Sequence, residues 1–125
     1  MAQFTIYANY NAQTKELYPY LLDLQSNLLG DLATSVVAPL ALVSKHSQPA
    51  ITRLTPVINF AGEDYLLQTM QLSATARKQL GKAVGDASAS SHNIIAAVDF
   101  LISGFWEHFF GSSLRISATA CQHSS

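Results

Sequence analysis

"TPVINFAGEDYLLQT", residues 55–69, is the stretch on which the fold turns. Two apolar runs flank a short loop containing glycine and acidic residues, the pattern of a β-hairpin. The turn is expected at Ala61 to Asp64, with Glu63 and Asp64 as turn residues. A hairpin here implies an antiparallel sheet. Upstream, "QFTIYA" (3–8) alternates apolar and polar and reads as a strand, followed by a polar connection over 9–16. "YPYLLDLQ" (18–25) is strand-like, with Tyr20, Leu22 and Leu24 on one face and Asp23 and Gln25 on the other. Turn signals follow at Gly30 and Asp31. "VVAPLALV" (36–43) is a strand whose Pro39 argues for an edge, a bulge or a bend. Residues 44–51 read as a loop.

Downstream, residues 71–81 are ambiguous between a short strand and a helical turn. The polar segment 86–92 leads into a helix that starts near Ser91 to Asn93, with Ser90 or Ser91 able to cap it. Ile94, Val98, Leu101, Phe105 and Phe109 recur at spacings of three and four, which predicts a buried stripe. Gly104 costs only about 1 kcal/mol relative to Ala inside a helix, so the helix is expected to run on to about Phe110. Strands followed by one C-terminal helix define an α+β fold rather than a wound parallel sheet.

Composition narrows the function. Of 125 residues, 49% are hydrophobic and 12% charged, a lean charge supply for the surface of a small monomer. Apolar surface buried against a second copy would account for this; a well-packed monomer with a Ser/Thr/Gln surface is the alternative. The net charge of −1 and the absence of any basic run disfavour phosphate-driven nucleic-acid binding. Arg77 and Lys78, the one adjacent basic pair, read as a solvated loop. The single cysteine, Cys121, suits a reducing cytosol, and the N-terminal stretch lacks the features of a signal peptide. Asp99, Glu107 and His108 interrupt the most apolar stretch, which argues against a membrane span. The chain is therefore expected in the cytoplasm.

Catalytic patterns are scarce. Metalloprotease, thiol-pair, serine-hydrolase, P-loop and dinucleotide motifs are absent from the sequence. His46, His92, His108 and His123 lack ligand spacing and read as surface imidazoles. Asp23 reads as the polar face of a strand. No catalytic residue, metal or cofactor is expected.

Several blocks together resemble the CcdB toxins: "QFTIYANYN", "PYLLDLQSNLLGDL" (19–32), "VVAPL" (36–40), "LTPVINFAGEDYLLQTMQLSA" (54–74) and "SHNIIAAVDFLISGF" (91–105). The resemblance covers residues 2–105 in order. It implies an antiparallel SH3-like small barrel or sheet with one C-terminal helix, a fold shared with the Kid and MazF toxins. It implies a homodimer that poisons DNA gyrase by binding the A subunit and trapping cleaved DNA. It also implies a CcdA-like antitoxin whose disordered segment folds on binding. By position, the gyrase-binding residues fall on Ser103, Gly104 and Phe105, with Ile102, Asp99, Leu28 and Leu29 on the same face. An enzyme, a cofactor and a metal are not implied.

The chain also departs from the family. Ser103 stands where some members carry an aromatic residue. Phe105 stands where Ile is usual, and Thr75-Ala76-Arg77 replaces an expected proline-containing stretch. Most of all, the family ends at the position of Phe105, whereas this chain continues for twenty residues, beginning Trp106-Glu107-His108-Phe109-Phe110. The expected division is a toxin domain over 1–105 and an extension over 106–125, an aromatic helix continuation followed by a loose tail. Two alternatives follow. Gyrase binding could be weakened or lost because the extension crowds the helix end. The chain could instead be a Kid/MazF-like endoribonuclease using Arg53, Arg77 or His46.

Overall fold

The computed structural model describes residues 3–45 and 53–104. The expected helix continuation beyond Gly104, including Phe105 and Phe109, lies outside the described residues, as do His46, His108, Cys121 and His123. Among the described residues, seven strands form one curled antiparallel sheet: β1 (Thr5–Ala8), β2 (Tyr20–Asp23), β3 (Thr34–Leu42), β4 (Val57–Phe60), β5 (Glu63–Leu67), β6 (Ser73–Ala76) and β7 (Ala83–Asp86). The path across it is β4-β5-β3-β2-β1-β7, with β6 also on β3. One helix, α1 (Ser91–Asp99), follows the strands and passes into a π-helical turn, Phe100–Gly104. This is the α+β, SH3-like arrangement expected from the order of the elements. No described helix is long and apolar enough to cross a membrane.

Strand β3 organises the sheet. One edge pairs with β2 over residues 37–40; the other pairs first with β6 over 34–37 and then with β5 over 40–42. Pro39 sits where β6 hands over to β5. Its carbonyl accepts the Gln68 N–H at 2.8 Å, and its nitrogen has no hydrogen to place at the gap between the two partners. The proline therefore marks a change of partner on a central strand, not an edge. The hairpin of residues 55–69 is also tighter than expected. Ala61 and Gly62 alone form the turn, with φ of 55° and 81°, the doubly left-handed geometry of a two-residue hairpin. Glu63 and Asp64 thus open β5 instead of lying in the turn, and Asn59 Nδ2 donates to Asp64 Oδ1 at 2.9 Å across the pair.

Residues 71–81 contain both expected forms, since β6 is flanked by single 3-10 turns at Thr69–Gln71 and Arg77–Gln79. β7 lies where no strand was expected. The helix starts at Ser91, but Ser90 makes no side-chain cap. Asp86 instead holds the approach, accepting the Ser88 N–H at 2.6 Å, and hydrogen bonding from the Ser88 side chain and then from its backbone holds the carboxyl below the usual range.

The core lies between the curled sheet and α1. Ile6, Leu22 and Ala38 face one another across three strands and are fully buried, joined by Leu40, Ile58, Leu67 and Ile94. Phe4 has a left-handed backbone (φ 70°) fixed from both sides. Its N–H donates to Asp23 O at 2.7 Å and its carbonyl accepts the Ala87 N–H at 2.8 Å. The N-terminal segment thereby ties β2 to the connection that launches α1. On the helix, Ile94 and Ala97 are buried while Val98 and Leu101 are only half-buried, so the apolar stripe narrows toward the end.

Burial pushes the Tyr7 and Tyr65 phenols above their ordinary value of 10.0; the Asp23 carboxylate adds to it at Tyr7, and Tyr20 at Tyr65. Both favour the neutral form in the folded state. Their contribution to stability is complete below pH 10.0 and is lost as pH rises from there through the folded values. In a spectrophotometric titration, at least two of the five tyrosines are expected to ionise late, with the thermal midpoint falling over the same alkaline range.

Candidate functional site

Two exposed patches carry the expected contact residues. The first is the turn joining β2 to β3. Leu28 is 93% and Leu29 48% exposed, on a single 3-10 turn, Asn27–Leu29. An apolar residue so open to water needs a backbone that cannot collapse inward, and polar neighbours supply it. Ser26 Oγ accepts the Leu28 N–H at 3.1 Å and Asn27 Oδ1 accepts the Gln3 N–H at 2.6 Å. The Gln25 amide spans the base of the loop, donating to Leu29 O at 3.2 Å and Thr34 O at 3.1 Å while accepting the Val36 N–H at 3.2 Å. Asp23 Oδ1 fixes Gln25 in turn through its N–H at 3.0 Å, and also accepts from Ser35 Oγ at 2.7 Å.

Asp23 is therefore not on an exposed polar face; it is 2% exposed and serves the interior of this network. Arg77 likewise does not belong to a solvated loop. It is half-buried, and its Nε donates to Leu32 O at 2.7 Å and its Nη2 to Leu29 O at 3.5 Å. The Asp23-to-Ser26 sequence block thus acts as a pedestal, and Arg77 reaches the loop above it at Leu32, 45 residues away along the chain.

The second patch is the outer face of α1 and the turn after it. Asp99 and Ser103 are exposed, Ile102 is 67% exposed and Gly104 is half-buried. His92, Ile95, Asp99 and Ile102 follow one another at spacings of three and four, opposite the buried Ile94 and Ala97. Ser91, His92, Ile95, Ala96 and Asp99 outline a shallow depression of about 310 Å³. Phe105 lies outside the described residues. Asp99, Ile102 and Ser103 therefore share one face. Leu28 and Leu29 lie on a separate element with no extensive packing against the helix end within the subunit.

A larger cleft of about 650 Å³ lies over β2, β3 and β6, with Asn9, Tyr10, Tyr18, Gln71 and Gln79 around it, and none of its lining side chains is charged. Arg77 is committed to the Leu28 loop, and the Arg53 guanidinium lies 4.6 Å over the Phe100 ring. Among the described residues, no group of three His, Cys, Asp or Glu side chains is placed to hold a metal ion.

A small curled antiparallel sheet followed by one helix defines a protein of the α+β, SH3-like class. A protein-family model described as CcdB protein matches residues 3–104, and the chain belongs to this family of toxin–antitoxin system toxins. No curated protein matches the chain.

The pedestal yields a direct expectation. Arg77→Met removes two charged donors from the loop carbonyls and is expected to destabilise the fold by about 1–3 kcal/mol. Proteolysis within residues 27–33 should accelerate at the same time, as measured by denaturant unfolding and limited digestion.

Proposed function

We propose that the chain is a gyrase poison that acts by binding, without catalysis of its own. As a C2 homodimer in the cytoplasm, it engages the A subunit of DNA gyrase and traps the cleaved-DNA state. A CcdA-like antitoxin neutralises it. The observation that carries this reading is the exposed apolar pair of patches, Leu28 on its 3-10 turn and Ile102 on the π-helical turn of a CcdB-family domain. Large apolar side chains presented singly on a firm backbone suit anchoring in a partner's pockets. Two copies related by a twofold axis would present each patch twice. The charge-free cleft and the engagement of Arg53 and Arg77 within the fold support this reading over RNA cleavage.

The test is a gyrase reaction in which cleaved DNA is expected to accumulate when the chain is added, run beside an RNA cleavage assay. Leu28→Ala should leave unfolding within about 0.5 kcal/mol of the parent, because the side chain is exposed. The same change should weaken binding to the A subunit by about 1–2 kcal/mol in calorimetric titration. Light scattering at micromolar concentration is expected to give twice the 13.5 kDa chain mass.

The domain division goes with this proposal: residues 1–105 form the toxin domain and 106–125 an extension. The proposed contact residues Asp99, Ile102, Ser103, Gly104 and Phe105 lead directly into that extension, which opens with Trp106 and continues to Phe109 and Phe110. We therefore propose that the full chain binds gyrase more weakly than a version ending at Phe105. Parallel titrations of both forms should show this, and equal affinities would count against it.

A further inference from the structure

The glycine at the helix end invites a partner to approach closely, but its open side is already taken. A Cβ built on Gly104 would overlap the ring of Phe100, meeting its Cδ1, Cε1 and Cγ atoms. The two residues bound the π-helical turn Phe100–Gly104, which ends the regular helix at Asp99. Such turns take an extra residue into each hydrogen-bonded ring and are rare. The same ring is covered by the Arg53 guanidinium, centred 4.6 Å away, from the segment that enters β4. Arg53 and Gly104 thus both meet the Phe100 ring, which links the segment entering β4 to the π-helical turn.

We infer that Gly104 is a notch for Phe100 of its own chain, and that Phe100 and Arg53 are positioning residues that fix the direction of Ile102 and Ser103. This deepens the gyrase reading and rests on it for the binding partner. A side chain at position 104 would drive the ring off its seat and away from Arg53, and the turn would re-form with its exposed residues rotated. The glycine is then required whether or not a partner touches it.

The test is a double-mutant cycle on the full chain, titrated against the isolated gyrase A subunit, with thermal unfolding and amide exchange recorded for each variant. Gly104→Ala and Phe100→Ala are each expected to weaken binding roughly tenfold. The double variant should be no weaker than Phe100→Ala alone, because the vacated ring space accepts the new methyl. Arg53→Gln should weaken binding roughly two- to fivefold, and Arg53→Lys should recover most of it, as an exposed cation over a ring would. Thermal midpoints should stay close to the parent for both Arg53 variants, while amide exchange over residues 101–104 quickens in Arg53→Gln. Additive effects of Gly104→Ala and Phe100→Ala would overturn the inference, since the glycine would then serve the partner directly. So would Arg53→Gln behaving as the parent in both exchange and binding.

The intramolecular part has its own readout. The Phe100 ring should shift the Gly104 α-protons in the parent's NMR spectrum, and the shift should vanish in Phe100→Ala. A parent that shows this shift and the quickened exchange in Arg53→Gln, yet fails to bind the A subunit, upholds the notch and removes the gyrase reading. Unshifted Gly104 protons in the parent overturn the notch.

Discussion

A nine-residue strand that must satisfy three neighbours is the constraint from which the rest of this structure follows. An antiparallel ladder tolerates a missing donor only where no acceptor faces it. Pro39 occupies that place between β6 and β5, and so fixes where one partner ends and the next begins. Through β2 the strand carries the Leu28 turn, and through β2, β1 and β7 in succession it carries the helix. Both exposed patches hang from one sheet, although neither packs extensively on the other.

Presenting apolar side chains to water is unfavourable, and a chain free to rearrange would turn them inward. The loop over 27–33 resists this with polar chemistry. A buried carboxylate, an amide with three bonds, a hydroxyl cap and a guanidinium together satisfy the carbonyls and amides that a collapsed loop would otherwise compete for. At the helix end the Phe100 ring is met by the Arg53 guanidinium and lies against Gly104.

How far the sequence discloses this depends on range. The hairpin of residues 55–69, the alternation of β1 and the start of α1 are local signals, and each is legible from spacing alone. The proposed contact residues Leu28, Asp99, Ile102 and Ser103 are visible through family resemblance and do lie at the surface. Phe105 falls outside the described residues. The supports were not legible. Asp23 looked like a strand's polar face because its partner Ser35 lies across the sheet. Arg77 looked solvated because its acceptors lie 45 and 48 residues away. β7 was hidden by its small residues, with Gly85 leaving room against the Phe60 ring. The one signal that could have found the Phe100 contact is the four-residue spacing from Phe100 to Gly104, the separation at which helical neighbours meet.

Leu28, 93% exposed and held only through its backbone, has a consequence for how such a protein can change over generations. Its side chain takes almost no part in folding, so selection on folding is nearly blind to what stands there. Single nucleotide changes can explore new shapes and polarities at that position while the pedestal beneath stays intact. A surface of this kind can follow a drifting target, or slip from the grip of an inhibitor, one substitution at a time. The pedestal residues have no such latitude, because each answers to several partners at once, and lineages of this toxin should keep them fixed while the crown they support diversifies.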